Sequence, residues 1–310
     1  MKRQFVFFSL ITFTISVVAC KKDKQFNPEE VRLVGADVYS DNGVQHEIID
    51  YNADGKITKI SFQFNNDAPK TRFDVSYSGN EIIIVEPPVI NNATELRDTV
   101  RLQLNPNSTI SKRIHSSFFE VKPPTAEAQR TYVKDTTLYQ YDIEGLLARK
   151  TLSKQDSTWT TNPAVPPTSV IFTNEMTDYT VVNRNVTAAN TTRNTLIVSR
   201  TPTRVFTSSN SGTTNSIFEY SKAYPNKTDF SNAAILDEMD LFTLRPMYKE
   251  YSLLPTKLTE SYTDKDQNGA VISSGTYSTD YIFEYNFFGL VSSVRNSTDP
   301  NWKITYRYTY

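Results

Sequence analysis

The chain has 310 residues, with 38% hydrophobic residues, 18 Tyr, 18 Phe and only 9 Gly, a length that admits one large domain or two ordinary ones. Its formal net charge is -1, with no run of like charge beyond the N-terminus, so it carries no electrostatic footprint for nucleic acid. The scarce glycines argue against Gly-rich phosphate-binding loops, and the single cysteine, Cys20, excludes a disulfide framework.

The chain begins with a targeting segment. Lys2 and Arg3 precede an apolar run from Phe5 to Val18, which is too short to span a bilayer comfortably. It ends in Val17-Val18-Ala19-Cys20, which resembles the bacterial lipobox. That resemblance implies cleavage before Cys20 and fatty acylation of the residue, palmitate included. Position 21 is Lys, so the residue that retains enteric-type lipoproteins in the inner membrane is absent. Lys21-Lys22-Asp23 is similar to the charged signals that send Bacteroidota lipoproteins to the outer leaflet of the outer membrane. The expected organisation is a signal peptide over 1–19, a lipidated tether over 20–30 and one domain over 31–310.

That domain reads as all-β, an antiparallel meander forming a large twisted sheet or a barrel. In Lys59-Ile60-Ser61-Phe62-Gln63-Phe64 the apolar residues share one parity, which puts them on one face of a strand. Glu81 to Val85 is apolar on both faces, and Pro87-Pro88 is expected to end it. Val100, Leu102 and Leu104 alternate with Arg101 and Gln103. Residues 153–216 are rich in Thr, Ser and Asn, but their recurring β-branched residues favour strands over disorder. One short helix is expected over 231–244: Ser231 can cap it, Ile235, Leu236, Met239 and Phe242 recur at helical spacing, and Pro246 stops it. Strands then return and end in Trp302, Ile304, Tyr306, Tyr308 and Tyr310 on one parity.

Three hairpins look alike. In each, an aromatic ends a strand, Asn or Asp starts the turn and Gly closes it: Tyr51-Asn52 with Gly55, Tyr141-Asp142 with Gly145, and Tyr285-Asn286 with Gly289. Such turns place Gly where positive φ is needed. Their unequal separations exclude a regular tandem array. These units resemble the tyrosine-aspartate repeats of large bacterial shell proteins. With the lipobox, Tyr224-Pro225-Asn226, Leu253-Leu254-Pro255-Thr256-Lys257 and the aromatic end, the whole mature chain is similar to uncharacterised Bacteroidota lipoproteins. Those belong to a domain-of-unknown-function family described as having a porin-like β fold. The resemblance implies a fold and a compartment, the lipid-anchored outer membrane with the domain facing the cell exterior, and brings no catalytic residues.

Candidate sites are few. Asp264-Lys265-Asp266-Gln267-Asn268-Gly269 matches the first half of a calcium loop, yet Gly275 stands where a bidentate Glu is needed. Asn268-Gly269 also signals a hairpin, the favoured reading. His46 and His115 are the only histidines and read as single exposed strand residues. Asp237, Glu238 and Asp240 read as a solvated helix face. Asp98-Thr99-Val100, Asp135-Thr136-Thr137 and Asp156-Ser157-Thr158 resemble the short O-glycosylation signal of Bacteroidota envelope proteins, which makes Thr99, Thr136 and Ser157 candidates. Trp159, in a polar Thr-rich stretch without a core pattern, is the aromatic expected to meet a ligand. No nucleophile elbow, HExxH or P-loop occurs, so no catalytic residue, metal or cofactor is expected.

The leading expectation is a non-enzymatic surface lipoprotein, a binding or structural module whose partner is a glycan or an envelope protein. A transmembrane β-barrel comes second: the aromatic end resembles the C-terminal signal of outer-membrane barrels, but segments such as Val100 to Leu104 fall short of the ~9–11 residues a crossing strand needs. A hydrolase with a site assembled across strands comes third.

Overall fold

The computed structural model describes residues 32–90, 94–121, 129–159, 167–220, 224–225, 253–297 and 299–309. Every described segment but a few turns is strand. In chain order they are β1 (Arg32–Ser40), β2 (Gly43–Tyr51), β3 (Ile57–Phe64), β4 (Lys70–Ser78), β5 (Glu81–Ile90) and β6 (Thr94–Leu104). Next come β7 (Ile110–Val121), β8 (Gln129–Tyr141), β9 (Leu147–Trp159), β10 (Ser169–Val182), β11 (Asn185–Arg200) and β12 (Val205–Glu219). After β13 (Tyr224–Pro225) and β14 (Leu253–Leu254) the chain continues through β15 (Lys257–Lys265), β16 (Val271–Tyr285), β17 (Val291–Asn296) and β18 (Lys303–Thr309). All but β13 and β14 form one closed antiparallel barrel of sixteen strands, sealed where β1 pairs with β18. β13 and β14 pair only with each other.

The meander expected from the sequence is therefore closed. Its strands outrun the expected segments: β6 has 11 residues and β16 has 15. They are longer because polar residues, charged ones in β6 and Ser and Thr in β16, carry the strand on past the apolar stretches. Pro87-Pro88 does not end β5; the strand passes through both prolines with a register shift between Glu86 and Val89, and a bulge is where a residue without a donor is tolerated. The helix expected over 231–244 lies outside the described residues.

The hairpin reading holds in detail. Gly55, Gly145 and Gly289 have φ of 76°, 80° and 76°. Each donates its N–H to the carbonyl of the residue that opens the turn, at 2.9–3.1 Å (Asn52, Asp142 and Asn286). These turns all lie at one end of the barrel, the turn end; the connections β3–β4, β5–β6, β7–β8 and β9–β10 lie at the other, the loop end.

The tyrosines that precede such turns have a second task. At or just past the end of five strands, a tyrosine donates its hydroxyl to a carbonyl at the start of the preceding strand. Tyr51 reaches Leu33, Tyr77 Ile57, Tyr141 Ile110, Tyr220 Val186 and Tyr308 Val291, over 2.5–3.0 Å. Burial pushes the Tyr77 and Tyr220 hydroxyls up to about 12, so they stay protonated donors.

Side chains at this end fill the barrel. Leu33, Ile57, Ile60, Leu102, Leu147 and Ile304 are at most 2% exposed. They belong to the first and third of three apolar clusters, the second being Leu146, Val186, Ala189 and Phe218, and shared neighbours join all three: Leu104 packs on the first and third, Leu258 on the first and second, and Tyr179 on the second and third. Leu254, contributed by β14 in the connection between β12 and β15, is 1% exposed in the largest cluster. A wide barrel of sixteen strands leaves a lumen unless something occupies it. Burial of each such side chain is worth about 1.5–3 kcal/mol, and here it packs a continuous apolar layer across the turn end.

Candidate functional site

Residues paired across antiparallel strands share a face, so the buried parity can be followed around the whole barrel. Ala36, Glu47 and Phe62 fall in one row, as do Val75, Ile84, Val100 and His115. This is the inner face. The outer parity carries Asp50, Lys59 and Asp74 in one row, Lys112 and Leu138 in another, and Lys134 at the middle of β8. Along the middle of β11, β12, β15 and β16 it is mostly hydroxyl and amide: Asn190 with Asn215, Thr192 with Thr213, Ser261 with Thr276. The Ser261–Thr276 and Thr259–Ser278 hydroxyls meet at 2.9 Å. Large apolar residues on this face, such as Val85, Leu138, Met176 and Ile217, stand among Ser, Thr, Asn and Lys and form no band.

Above the apolar layer the inner face becomes ionic. Glu47, at 0% exposure, accepts from Arg72 at 2.7 Å and from Gln45. Its Oε2 has no partner among the described residues. Farther round, His115 on β7 is held between two aspartates. Its Nδ1 lies 2.6 Å from Asp135 Oδ2 and its Nε2 2.9 Å from Asp98 Oδ1, while Arg113 Nη1 lies 2.6 Å from Asp135 Oδ1. Burial works against the imidazolium, but hydrogen bonds and charge from Asp135 and Asp98 outweigh it and raise its pKa to about 9. His115 therefore carries a proton on both nitrogens at neutral pH. Glu86 faces Asp98 directly; burial and that carboxylate raise its pKa, against the pull of Arg72. Arg193 and Asp264 pair at 2.6 Å across Gly212, where a side chain would collide with the Asp264 carboxylate.

The sequence-predicted residues are placed as follows. Cys20, Asp237, Glu238 and Asp240 lie outside the described residues. His46 faces outward, 2.8 Å from Asp37, and never meets His115. The expectation of an exposed His115 is corrected: it points inward and its side chain is 17% exposed. Thr99 and Thr136 are half-buried on the outer parity, while Ser157 is 3% exposed and accepts from Gln155 at 3.0 Å. Trp159 closes β9 opposite Arg130 and is half-buried. The calcium-like stretch is a fourth copy of the same turn, at the loop end: Asp266 Oδ1 accepts from the Asn268 and Ala270 N–H groups at 2.9 Å, and Gly269 has φ of 82°. Asp264 is already spent on Arg193.

That fourth turn borders a groove of about 390 Å³ over β10, β11 and β12. Two cross-strand rows on the outer parity floor it, Phe172–Leu196–Ser209 and Asn174–Asn194–Ser211. Phe172 and Leu196 are 38% and 42% exposed. Gln267, with Asp266 and Gly269 of the turn, completes one side.

No family model matches the chain, and no curated protein does. Among solved structures, a porin-like protein from Bacteroides vulgatus aligns over 89% of this chain and 98% of its own, at 14% identity and a TM-score of 0.44.

Sequence reasoning missed both the ionic belt and the groove. Asp98 and Asp135 were visible only as the first residues of glycosylation-like tripeptides. Their meeting with His115 needs the registers β6–β7 and β7–β8, which no local pattern encodes. For the groove the sequence holds no distinct local signal, because Phe172 shares its parity with Val170 and Met176 as well as with Asn174 and Asp178.

Proposed function

We propose that this chain is an outer-membrane lipoprotein whose barrel stands in water on a tether from an acylated Cys20, and that it acts as a non-enzymatic binding module. The observation that carries this reading is the polar outer face. A transmembrane barrel needs an outward apolar band about 25 Å tall, and an Arg or Lys at the hydrocarbon midplane costs about 2–4 kcal/mol. Lys134, halfway along β8, would alone incur that cost, and the Asn–Thr–Ser rows of β11, β12 and β15 offer nothing for lipid in return. The packed turn end supports a container over a conduit. Membrane contact on this reading runs through the lipid, with a glycan or an envelope protein as partner and no role for nucleic acid.

The test is extraction. The acylated chain should require detergent, whereas a Cys20→Ser form should leave the membrane, lose palmitate labelling and stay monodisperse and folded in detergent-free buffer. A Cys20→Ser form that still floats with vesicles or needs detergent to keep its β signal would defeat the proposal.

A further inference from the structure

We propose that the groove between the Asp266–Gly269 turn and the outer face of β10–β12 is a binding site for a short neutral saccharide. The inference deepens the binding-module reading and needs only that this face be wet. Three observations converge. First, the space is real and sized for a small ligand: about 390 Å³, within the range of roughly 300–1,000 Å³ usual for ligand pockets.

Second, several of its polar groups are unspent. Asn194, Ser209 and Ser211 on the outer parity, and Gln267 in the turn, make no side-chain hydrogen bond to another described residue, whereas Asn174 accepts from Ser153 and the outer hydroxyls of Ser261 and Thr276 pair with each other. An amide offers a donor and an acceptor side by side, the complement of two adjacent sugar hydroxyls. Third, Phe172 and Leu196 lie directly opposite one another among these amides, giving an apolar platform on which the C–H face of a pyranose can rest while its hydroxyls reach outward.

The lining also argues against other ligands. It contains no Lys or Arg to bind phosphate or carboxylate, and its only carboxylate, Asp266, has one oxygen engaged by the turn. The apolar area is too small and too interrupted for a lipid chain.

The probe is a panel of neutral disaccharides (maltose, cellobiose, lactose and chitobiose) with inorganic phosphate as the anionic control, tested by saturation-transfer NMR on the full chain in detergent. At least one sugar should bind, at millimolar or better affinity, with transfer to its ring C–H protons. Affinity should fall at least tenfold in Phe172→Ala and in the near-isosteric Asn194→Asp, and stay unchanged in Trp159→Ala. Far-UV circular dichroism of each variant checks the barrel, and Asn194→Asp keeps the test informative if Phe172→Ala misfolds. Failure of all four sugars to bind at 10-fold excess over millimolar, binding that survives both groove variants, or preference for phosphate would overturn the assignment. The Cys20→Ser extraction result is independent of each of these outcomes, so the two proposals can fail separately.

Discussion

The His115 clamp makes a quantitative prediction about stability and pH. Its neighbours are Asp98 on β6, Asp135 on β8 and Arg113 on its own strand, with Glu86 opposite Asp98 and Lys154 opposite Asp135. The imidazole pKa stands at about 9 in the folded chain against 6.5 for an unperturbed histidine. A group whose folded pKa is raised contributes fully below the unfolded value and loses that contribution as pH climbs through the folded one. The window therefore runs from about 6.5 to about 9. A gap of roughly 2.5 at about 1.36 kcal/mol per pH unit sets a ceiling near 3.4 kcal/mol. Water reaches part of the ring, and screening trims this to about 1.5–2 kcal/mol. Urea unfolding of the Cys20→Ser chain between pH 6 and 9.5 should show wild type losing that much relative to His115→Gln, whose own midpoint lacks this dependence. A Glu86→Gln background removes the neighbouring raised carboxyl, which would otherwise add a loss of the same sign. A wild-type-minus-variant difference that stays flat with pH, or an NMR titration placing His115 at or below 6.5, would refute the clamp.

Two further substitutions, one with a control, probe the scaffold. Tyr141→Phe strands the Ile110 carbonyl that now accepts at 2.9 Å, and an unsatisfied buried acceptor costs about 1–3 kcal/mol; Tyr132→Phe, on the exposed outer parity, should cost under about 0.5 kcal/mol in the same thermal melts. Gly35→Ala would drive a Cβ into the Glu47 backbone carbonyl and to 2.6 Å from Arg307 Nη2. Because a strand carbonyl cannot yield as a flexible side chain can, this variant should lose more than about 3 kcal/mol or fail to fold; a melting temperature within 2 °C of wild type, equivalent to about 1 kcal/mol in a domain of this size, would show that β1 and β2 have room for a Cβ there.

Local signals carried far in the sequence wherever the fold is built from local devices. Asn52, Asp142 and Asn286, each followed by a glycine three residues on, marked their hairpins because an Asx side chain and a positive-φ glycine act within one turn. The same chemistry makes a turn at Asp266. The Pro87-Pro88 stop failed for a reason of context: a bulge took up the missing donors. The preceding tyrosines were legible as strand ends, but their hydroxyl bonds to Leu33 and Ile110 depend on which strand lies alongside.

What the sequence determined by itself was the all-β class, the meander with its short turns, and the parity on which each strand is apolar, since alternation and turn chemistry act over a few residues. What only the tertiary structure decided was closure, because nothing local states that β1 meets β18 across almost the whole chain. Closure then assigned inside and outside to those two parities. The apolar one went inward, packing the turn end, and the polar one outward. That assignment makes the aromatic C-terminal strand, whose Ile304 and Tyr306 read first as core and second as lipid-facing, part of a buried core.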